Sequence, residues 1–274
     1  MNIGVIGTGS MGTILIESLL DSLAVNPSQM FITNRTIKKA QVLSNKYDGL
    51  HVMDNPTSVI NNCDIVFICV KPLQFHSLLL EIREQCDNNQ MIVSITSPIA
   101  VEELEEMVDC KVARAIPSIL NRAHAGPSLL SFGDRCNDSD KERLQSLMSH
   151  ISAPLEINEN ITRVSSDIVS CGPAFFSYIM QQFVDAAVRQ TEITKEEATT
   201  LATDMMIGMG KLLEKEIYTL PSLQQRVCVP GGITGEGIKV LEDEIGEMFD
   251  HLFQKTHAKY YEDKEKISEQ FKNQ

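Results

Sequence analysis

The feature that most constrains this chain is a glycine-rich turn near its start, Gly7-Thr8-Gly9-Ser10-Met11-Gly12. It follows the apolar run Ile3-Gly4-Val5-Ile6 directly and opens a segment whose apolar residues Met11, Ile14, Leu15 and Leu19 recur at helical spacing. Each glycine has a separate task in such a turn: Gly7 permits the tight bend, Gly9 lets backbone approach a pyrophosphate, and Gly12 lets the helix pack against the strand. The helix N-terminus, with unpaired N–H groups and partial positive charge, then faces an anion. Gly7, Thr8, Gly9, Ser10, Met11 and Gly12 are therefore predicted cofactor contacts. The spacing carries weight because strand, turn and helix occur together.

The rest of the N-terminal half repeats that alternation. Short apolar runs at residues 3–6, 30–33, 65–70, 91–95 and 111–116 predict strands, with helical segments between them. Strands alternating with helices imply a parallel sheet with right-handed crossovers. The Val/Ile/Phe-rich run at 65–70 suits a strand covered on both faces. The predicted fold class is α/β: a Rossmann-type doubly wound parallel sheet over residues 1–157.

Choice of dinucleotide is read at the end of the second strand, where an acidic residue holds the ribose 2′-hydroxyl of NAD. Here the sequence is Thr33-Asn34-Arg35-Thr36, with Asn34 lying 27 positions after Gly7. A carboxylate would repel a 2′-phosphate, whereas Asn34 and Arg35 would receive it, so NADP(H) is the expected cofactor. Ligands of open α/β sheets lie at the carboxyl ends of the strands. Asn55, Val70, Lys71 and Pro72 stand at such ends and are further candidates. Asn55 also reads as an ordinary turn residue, and Lys71 as a solvated strand-end charge.

Beyond residue 157 strand-like alternation stops, and residues 163–189, 195–214 and 236–253 carry apolar residues at three-to-four spacing. Residues 158–274 are expected to form an all-helical dimerisation and substrate domain, interrupted at Gly172-Pro173 and Pro230-Gly231-Gly232. The segment from Lys255 is charged and predicts a frayed, solvated helix. A net charge of -13 opposes binding to nucleic acid or an anionic membrane. No run approaches the length of a membrane span. The chain opens without a signal-peptide pattern, and its seven scattered cysteines suit reduced thiols, so a cytoplasmic protein is expected. No cysteine pair or histidine has metal-ligand spacing.

These residues, taken in order, resemble the pyrroline-5-carboxylate reductase family. The resemblance rests on residues 7–12, Asn34-Arg35, Asn55, Asp64-Ile65-Val66-Phe67-Ile68 with Val70-Lys71-Pro72, Arg114 before Pro117, Glu159, Gly172-Pro173-Ala174, Asp185-Ala186-Ala187 and Pro230-Gly231-Gly232-Ile233-Thr234. It implies a Rossmann domain followed by a helical domain that interlocks with a second copy, and reduction of a small cyclic imine to proline with NADPH. It further implies that Gly231, Gly232 and Ile233 hold the substrate carboxylate, and that Thr234 is the catalytic partner of the ring nitrogen. Pro117, Ser118 and Cys171 line the substrate position. Read without the family, Thr234 is a good N-cap for the following helix.

The chain departs from the family pattern around the substrate. It has Ile116-Pro117-Ser118-Ile119-Leu120 where the family has Met-Pro-Asn-x-Pro, Cys171 in place of Ser, and Val229 in place of Ser. Polar groups are lost there while the cofactor half is intact, which resembles the diverged ComER-type branch associated with late-competence operons. Two alternatives follow. One is an NADP(H)-binding regulatory paralogue with little or no turnover. The other, a β-hydroxyacid dehydrogenase-like enzyme, wants a catalytic Lys with Asn four residues on; Lys195 and Lys211 are followed there by Thr199 and Lys215.

Overall fold

The computed structural model describes residues 1–272. Its N-terminal part is an eight-stranded sheet: β1 (Ile3–Ile6), β2 (Met30–Thr33), β3 (His51–Val52), β4 (Ile65–Ile68), β5 (Met91–Ser94), β6 (Lys111–Ile116), β7 (Pro127–Phe132) and β8 (Ala153–Glu156). Its spatial order is β3-β2-β1-β4-β5-β6-β7-β8. The first six strands pair in parallel in the order of a dinucleotide-binding Rossmann sheet. The chain then departs from an all-parallel arrangement: β7 runs antiparallel to β6, and β8 parallel to β7.

The crossovers are α1 (Ser10–Asp21), α2 (Ile37–Lys46), α3 (Pro56–Ile60), α4 (Phe75–Ile82), α5 (Val101–Glu105) and α6 (Asp138–Ser149). Alternate strand residues divide between two cores. Ile3, Val5, Ile65, Phe67, Met91 and Val93 pack with α1 and α2, while Ile6, Val66, Ile68 and Ile92 pack with α3, α4 and α5. Period-two burial on both faces is why the runs read as continuous apolar stretches.

After the sheet come α7 (Thr162–Ser166), a π-helical turn (Asp167–Cys171), α8 (Gly172–Gln190), α9 (Lys195–Glu214), α10 (Leu220–Val227), α11 (Ile233–Ile245) and α12 (Met248–Lys272). The expected helix at 236–253 is thus two helices, broken at Gly246, whose φ is +44°.

The chain divides into two compact units, one of residues 1–173 together with 256 onward, the other Ala174–Lys255. This division does not coincide with the change of sequence character at 157. Arg114 holds Glu159 and Thr162, and the hydroxyls of Ser118 and Ser170 donate to the carbonyls of Val169 and Pro117, so residues 159–171 are tied to the sheet.

The C-terminal segment is docked, which corrects the expectation of a frayed helix. Thr256 donates to Asp167 at 2.8 Å, Tyr260 donates to the Ser97 carbonyl at 3.3 Å, and Ile267 is buried with Val101 and Leu104. The unit Ala174–Lys255 is different in kind. Among its described apolar residues only Val184 and Ala198 are buried, while Phe176, Phe183, Leu201, Met205 and Ile207 stand exposed.

Candidate functional site

The glycine turn is built as its spacing requires. Gly7 has φ +104°, and a Cβ there would sit 2.6 Å from the Cys69 carbonyl oxygen; a Cβ at Gly12 would collide with the Gly7 carbonyl oxygen. Both glycines are therefore demanded by the protein's own packing. Gly9 is not: a Cβ there meets nothing within 4 Å. Gly9 is the N-cap of α1 and offers no side chain to the first N–H groups, so those of Ser10, Met11 and Gly12 are left for a ligand. The Thr8 hydroxyl beside them is buried without a hydrogen-bond partner. An open approach at Gly9, an uncapped helix and an orphaned hydroxyl fit the pyrophosphate of a dinucleotide.

A cavity of about 510 Å³ opens from this turn. It gathers Gly7, Gly9, Asn34, Arg35, Asn55, Val70 and Lys71 from the ends of β1, β2, β3 and β4. Thr8, Ser10, Met11, Gly12 and Pro72 adjoin these residues in the chain but are outside the cavity lining. Asn34 does more than face the cavity. Its Oδ1 accepts from the Thr8 N–H at 3.0 Å and its Nδ2 donates to the Thr36 carbonyl at 3.0 Å, so the side chain is spent on joining two turns. Arg35 and Lys71 are exposed and pair with no carboxylate among the described residues. Asn55 caps α3, its Oδ1 accepting from the Ser58 N–H at 2.8 Å, and so serves as a turn residue while lining the cavity. Pro72 begins a single 3₁₀ turn behind Lys71.

Sequence motifs did not reveal Lys39, Gln74, Ser77 and Glu81, which also line the cavity. They project from α2 and α4 or the turn before α4, and only the helix phase could have indicated them. Cys69 also lines it, and burial pushes that thiol up so that it stays protonated.

The residues expected at the substrate lie in two places. In the sheet-bearing unit, Pro117 and Ser118 end β6. Ser118 is fully buried; its hydroxyl donates to Val169 at 2.8 Å and accepts from the Leu120 N–H at 3.3 Å. Cys171 closes the π-helical turn, held by an Arg163 N–H at 3.7 Å, and burial raises its thiol as well. Asp167, in the same turn and fully buried, receives Arg163, Thr256 and His257. Such a turn inserts an extra residue into a helix and turns the following carbonyls aside.

Gly231, Gly232, Ile233 and Thr234 belong to the helical unit. Gly231 takes φ +74°, and a Cβ at Gly232 would lie 2.8 Å from Val229 Cγ2. The N-cap of α11 is Gly232, with no side-chain cap, so Thr234 is the second residue of the helix and not its cap. Its side chain is exposed, and its hydroxyl makes no hydrogen bond among the described residues.

Comparison with known proteins identifies the family. Residues 159–263 match the family model described as pyrroline-5-carboxylate reductase dimerisation, and residues 2–98 match that described as NADP oxidoreductase, coenzyme F420-dependent. ComE operon protein 4 of Bacillus subtilis (strain 168) is 52% identical over 271 residues, covering 99% of each chain. Pyrroline-5-carboxylate reductase 3 of the same organism is 31% identical over 259 residues, covering 94% of this chain and 95% of its own. Among solved structures, the Plasmodium falciparum pyrroline carboxylate reductase with NADP bound superposes with a TM-score of 0.82 at 22% identity, covering 97% and 98% of the two chains. The Coxiella burnetii pyrroline-5-carboxylate reductase gives 0.82 at 23% identity, with the same coverage.

Proposed function

Because this chain belongs to the pyrroline-5-carboxylate reductase family, we propose that it reduces pyrroline-5-carboxylate, or a related cyclic imine, to proline with NADPH. The observation that carries the reading is the cavity in which Gly7, Gly9, Asn34, Arg35 and Lys71 converge on the uncapped start of α1. The N–H groups of Ser10, Met11 and Gly12 hold the pyrophosphate, Arg35 meets the 2′-phosphate, and Asn34 fixes the turn that presents it. When bound, NADPH supplies the hydride for the imine carbon.

The substrate carboxylate is assigned to the N–H groups of Gly231 and Ile233, at a helix start that has no side-chain cap of its own, while the Gly232 N–H donates to the Val229 carbonyl at 2.9 Å and shapes the turn. Thr234 has an unspent hydroxyl and is assigned to the ring nitrogen, as hydrogen-bond partner or proton donor. Pro117 and Ser118 shape the end of β6, with the Ser118 hydroxyl already committed to Val169. Cys171 contributes a protonated thiol, a weak donor. The helical unit pairs with a second copy, which covers its exposed apolar side chains.

A second reading is an NADP(H)-binding regulatory paralogue with little turnover. It is favoured by the likeness to ComE operon protein 4 and by the loss of polar groups at Ser118, Cys171 and Val229. A site built to hydrogen-bond a small polar substrate loses heavily when donors vanish. Following NADPH oxidation by purified protein with pyrroline-5-carboxylate, beside direct NADPH binding, separates the two. Turnover supports the reductase; binding without turnover supports the paralogue; absence of both removes both readings.

A further inference from the structure

Two cysteines 24 positions apart meet at the amino edge of the sheet. Cys86 follows the 3₁₀ turn Arg83–Gln85 that ends α4 and leads to β5, and Cys110 stands one residue before β6. Both lie at the opposite ends of the strands from the dinucleotide cavity. Cys110 is fully buried in the core covered by α3, α4 and α5, and Cys86 is half-buried against the same core. The Cys86 thiol donates to the Ile82 carbonyl at 3.3 Å, and the two thiols are in hydrogen-bond contact with each other.

Their surroundings give the two sulfurs unequal parts. Arg135 donates to the carbonyls of Glu105 at 3.0 Å, Cys110 at 3.2 Å and Val108, so the segment that presents Cys110 is fastened from inside. Cys86 sits on a turn that solvent reaches. The hydrogen bond from Cys110 holds the Cys86 thiol below its ordinary range, whereas the same contact and burial push Cys110 up. Burial also pushes up the thiols of Cys63, Cys69, Cys136 and Cys171. The thiolate is the nucleophile in sulfur chemistry, and a second thiol in contact halts oxidation at a reversible stage.

We propose that Cys86 and Cys110 form a peroxide-sensitive dithiol, a modification site at which a hydroperoxide converts the pair to a disulfide. The Cys86 thiolate attacks the terminal peroxide oxygen. The O–O bond breaks, Cys86 becomes a sulfenic acid, and the departing oxygen takes up the proton that Cys86 released, leaving as an alcohol or, from hydrogen peroxide, as water. The Cys110 sulfur then attacks that of Cys86: the S–S bond forms, the S–O bond breaks, and the hydroxyl leaves as water with the Cys110 proton. Two thiols have lost two electrons and two protons, and the peroxide has gained them.

Trypsin leaves both cysteines in one peptide, residues 84–111, and a glutamyl protease cuts between them. The test treats the full-length protein with a small excess of hydrogen peroxide, alkylates it with iodoacetamide in denaturant, and maps the double digest by mass spectrometry. In the wild type the two fragments should be joined by a disulfide that dithiothreitol releases. Cys110→Ser should leave Cys86 as a sulfenic acid that dimedone traps, Cys86→Ser should leave Cys110 alkylated, and Cys171→Ser should form the bond as the wild type does. The wild-type map decides the matter even where Cys110→Ser fails to fold. Alkylated Cys86 and Cys110 in protein whose Cys171 or Cys228 is oxidised overturn the proposal. So does wild-type Cys86 that proceeds to sulfinic acid beside an alkylated Cys110. A bond that forms equally fast in unfolded protein overturns it too, because closeness in the chain would then suffice.

Discussion

The side chain of Asn34 accepts a hydrogen bond from the backbone N–H of Thr8 across 3.0 Å, linking residues 26 positions apart in the chain. Its other end donates to the Thr36 carbonyl at 3.0 Å, so the amide sets the spacing between the pyrophosphate turn and the residues at the start of α2. Asn34→Asp keeps the acceptor for Thr8, loses the donor for Thr36 and adds a negative charge to the cavity rim. NADPH affinity should fall by about 1.5–3 kcal/mol, typical of a hydrogen bond to a charged group, while NADH is held or improved. Titration of both dinucleotides checks this, and parallel losses would count against it.

Thr234 supplies a test of the chemistry that is separable from folding. It is exposed and leaves the capping of α11 to Gly232, so Thr234→Ala should not change the melting temperature. Turnover should drop by about 10²–10⁴-fold if the hydroxyl donates the final proton, and by less if it only positions the ring. NADPH affinity should be preserved, since the phosphates are assigned to residues 7–12 of the other unit. Thr234→Ser should recover most of the rate.

Self-association is read from the sparse core of residues 174–255. Phe183, Val184, Ile193, Leu201 and Met205 of α8, α9 and the loop between them line an apolar hollow of about 310 Å³. Leu201 is 63% exposed, more than a large aliphatic side chain in a settled core tolerates. Sedimentation at micromolar concentration should give a dimer or larger species, and Leu201→Asp should shift it towards monomer with NADPH binding kept. A wild-type monomer would contradict the prediction.

Glu17 makes acid stability testable. Burial opposes its charge, but the hydrogen bonds and charges of Lys46 and Arg122 outweigh that penalty and hold its carboxyl below the usual range. A carboxylate whose folded value is depressed stabilises the protein fully above the ordinary value of about 4.3. That contribution fades as pH falls through the lower folded value. Glu17→Gln should therefore lower the melting temperature at pH 7 by roughly 2–4 °C, the shift produced by about 1 kcal/mol in a chain of nearly this size. The difference should close in acid; a gap that widened there would refute the assignment.

What was legible in the sequence depended on how local the signal was. Met30–Thr33 and Lys111–Ile116 announced themselves as apolar runs, and the glycine turn stood out by its spacing between a strand and a helix. His51–Val52 is two residues long, and Pro127–Phe132 begins with a residue usually confined to strand ends. Neither offers a period to read. The 8-residue α10 escaped because its start signal, the Thr219–Ser222 capping box, involves Ser where Glu or Gln is the usual mark. The cavity's Lys39 and the double duty of Asn34 depend on which way side chains turn, which composition does not encode. The docking of the C-terminal segment depends on Ile267 and Tyr260 meeting residues some 160 positions away, beyond any local window.

That docking has a consequence for biosynthesis. Ile267 completes a core whose other members are made first, so that core stays unfinished while the chain is still being translated. At about 5–20 residues per second, the stretch from 173 to 267 occupies roughly 5–20 s, during which Val101 and Leu104 wait for their last neighbour. The helical unit is fully synthesised before then. The unit predicted to self-associate is thus made before the sheet-bearing unit has its last core residue, which makes the order of the two events a product of translation as well as of affinity.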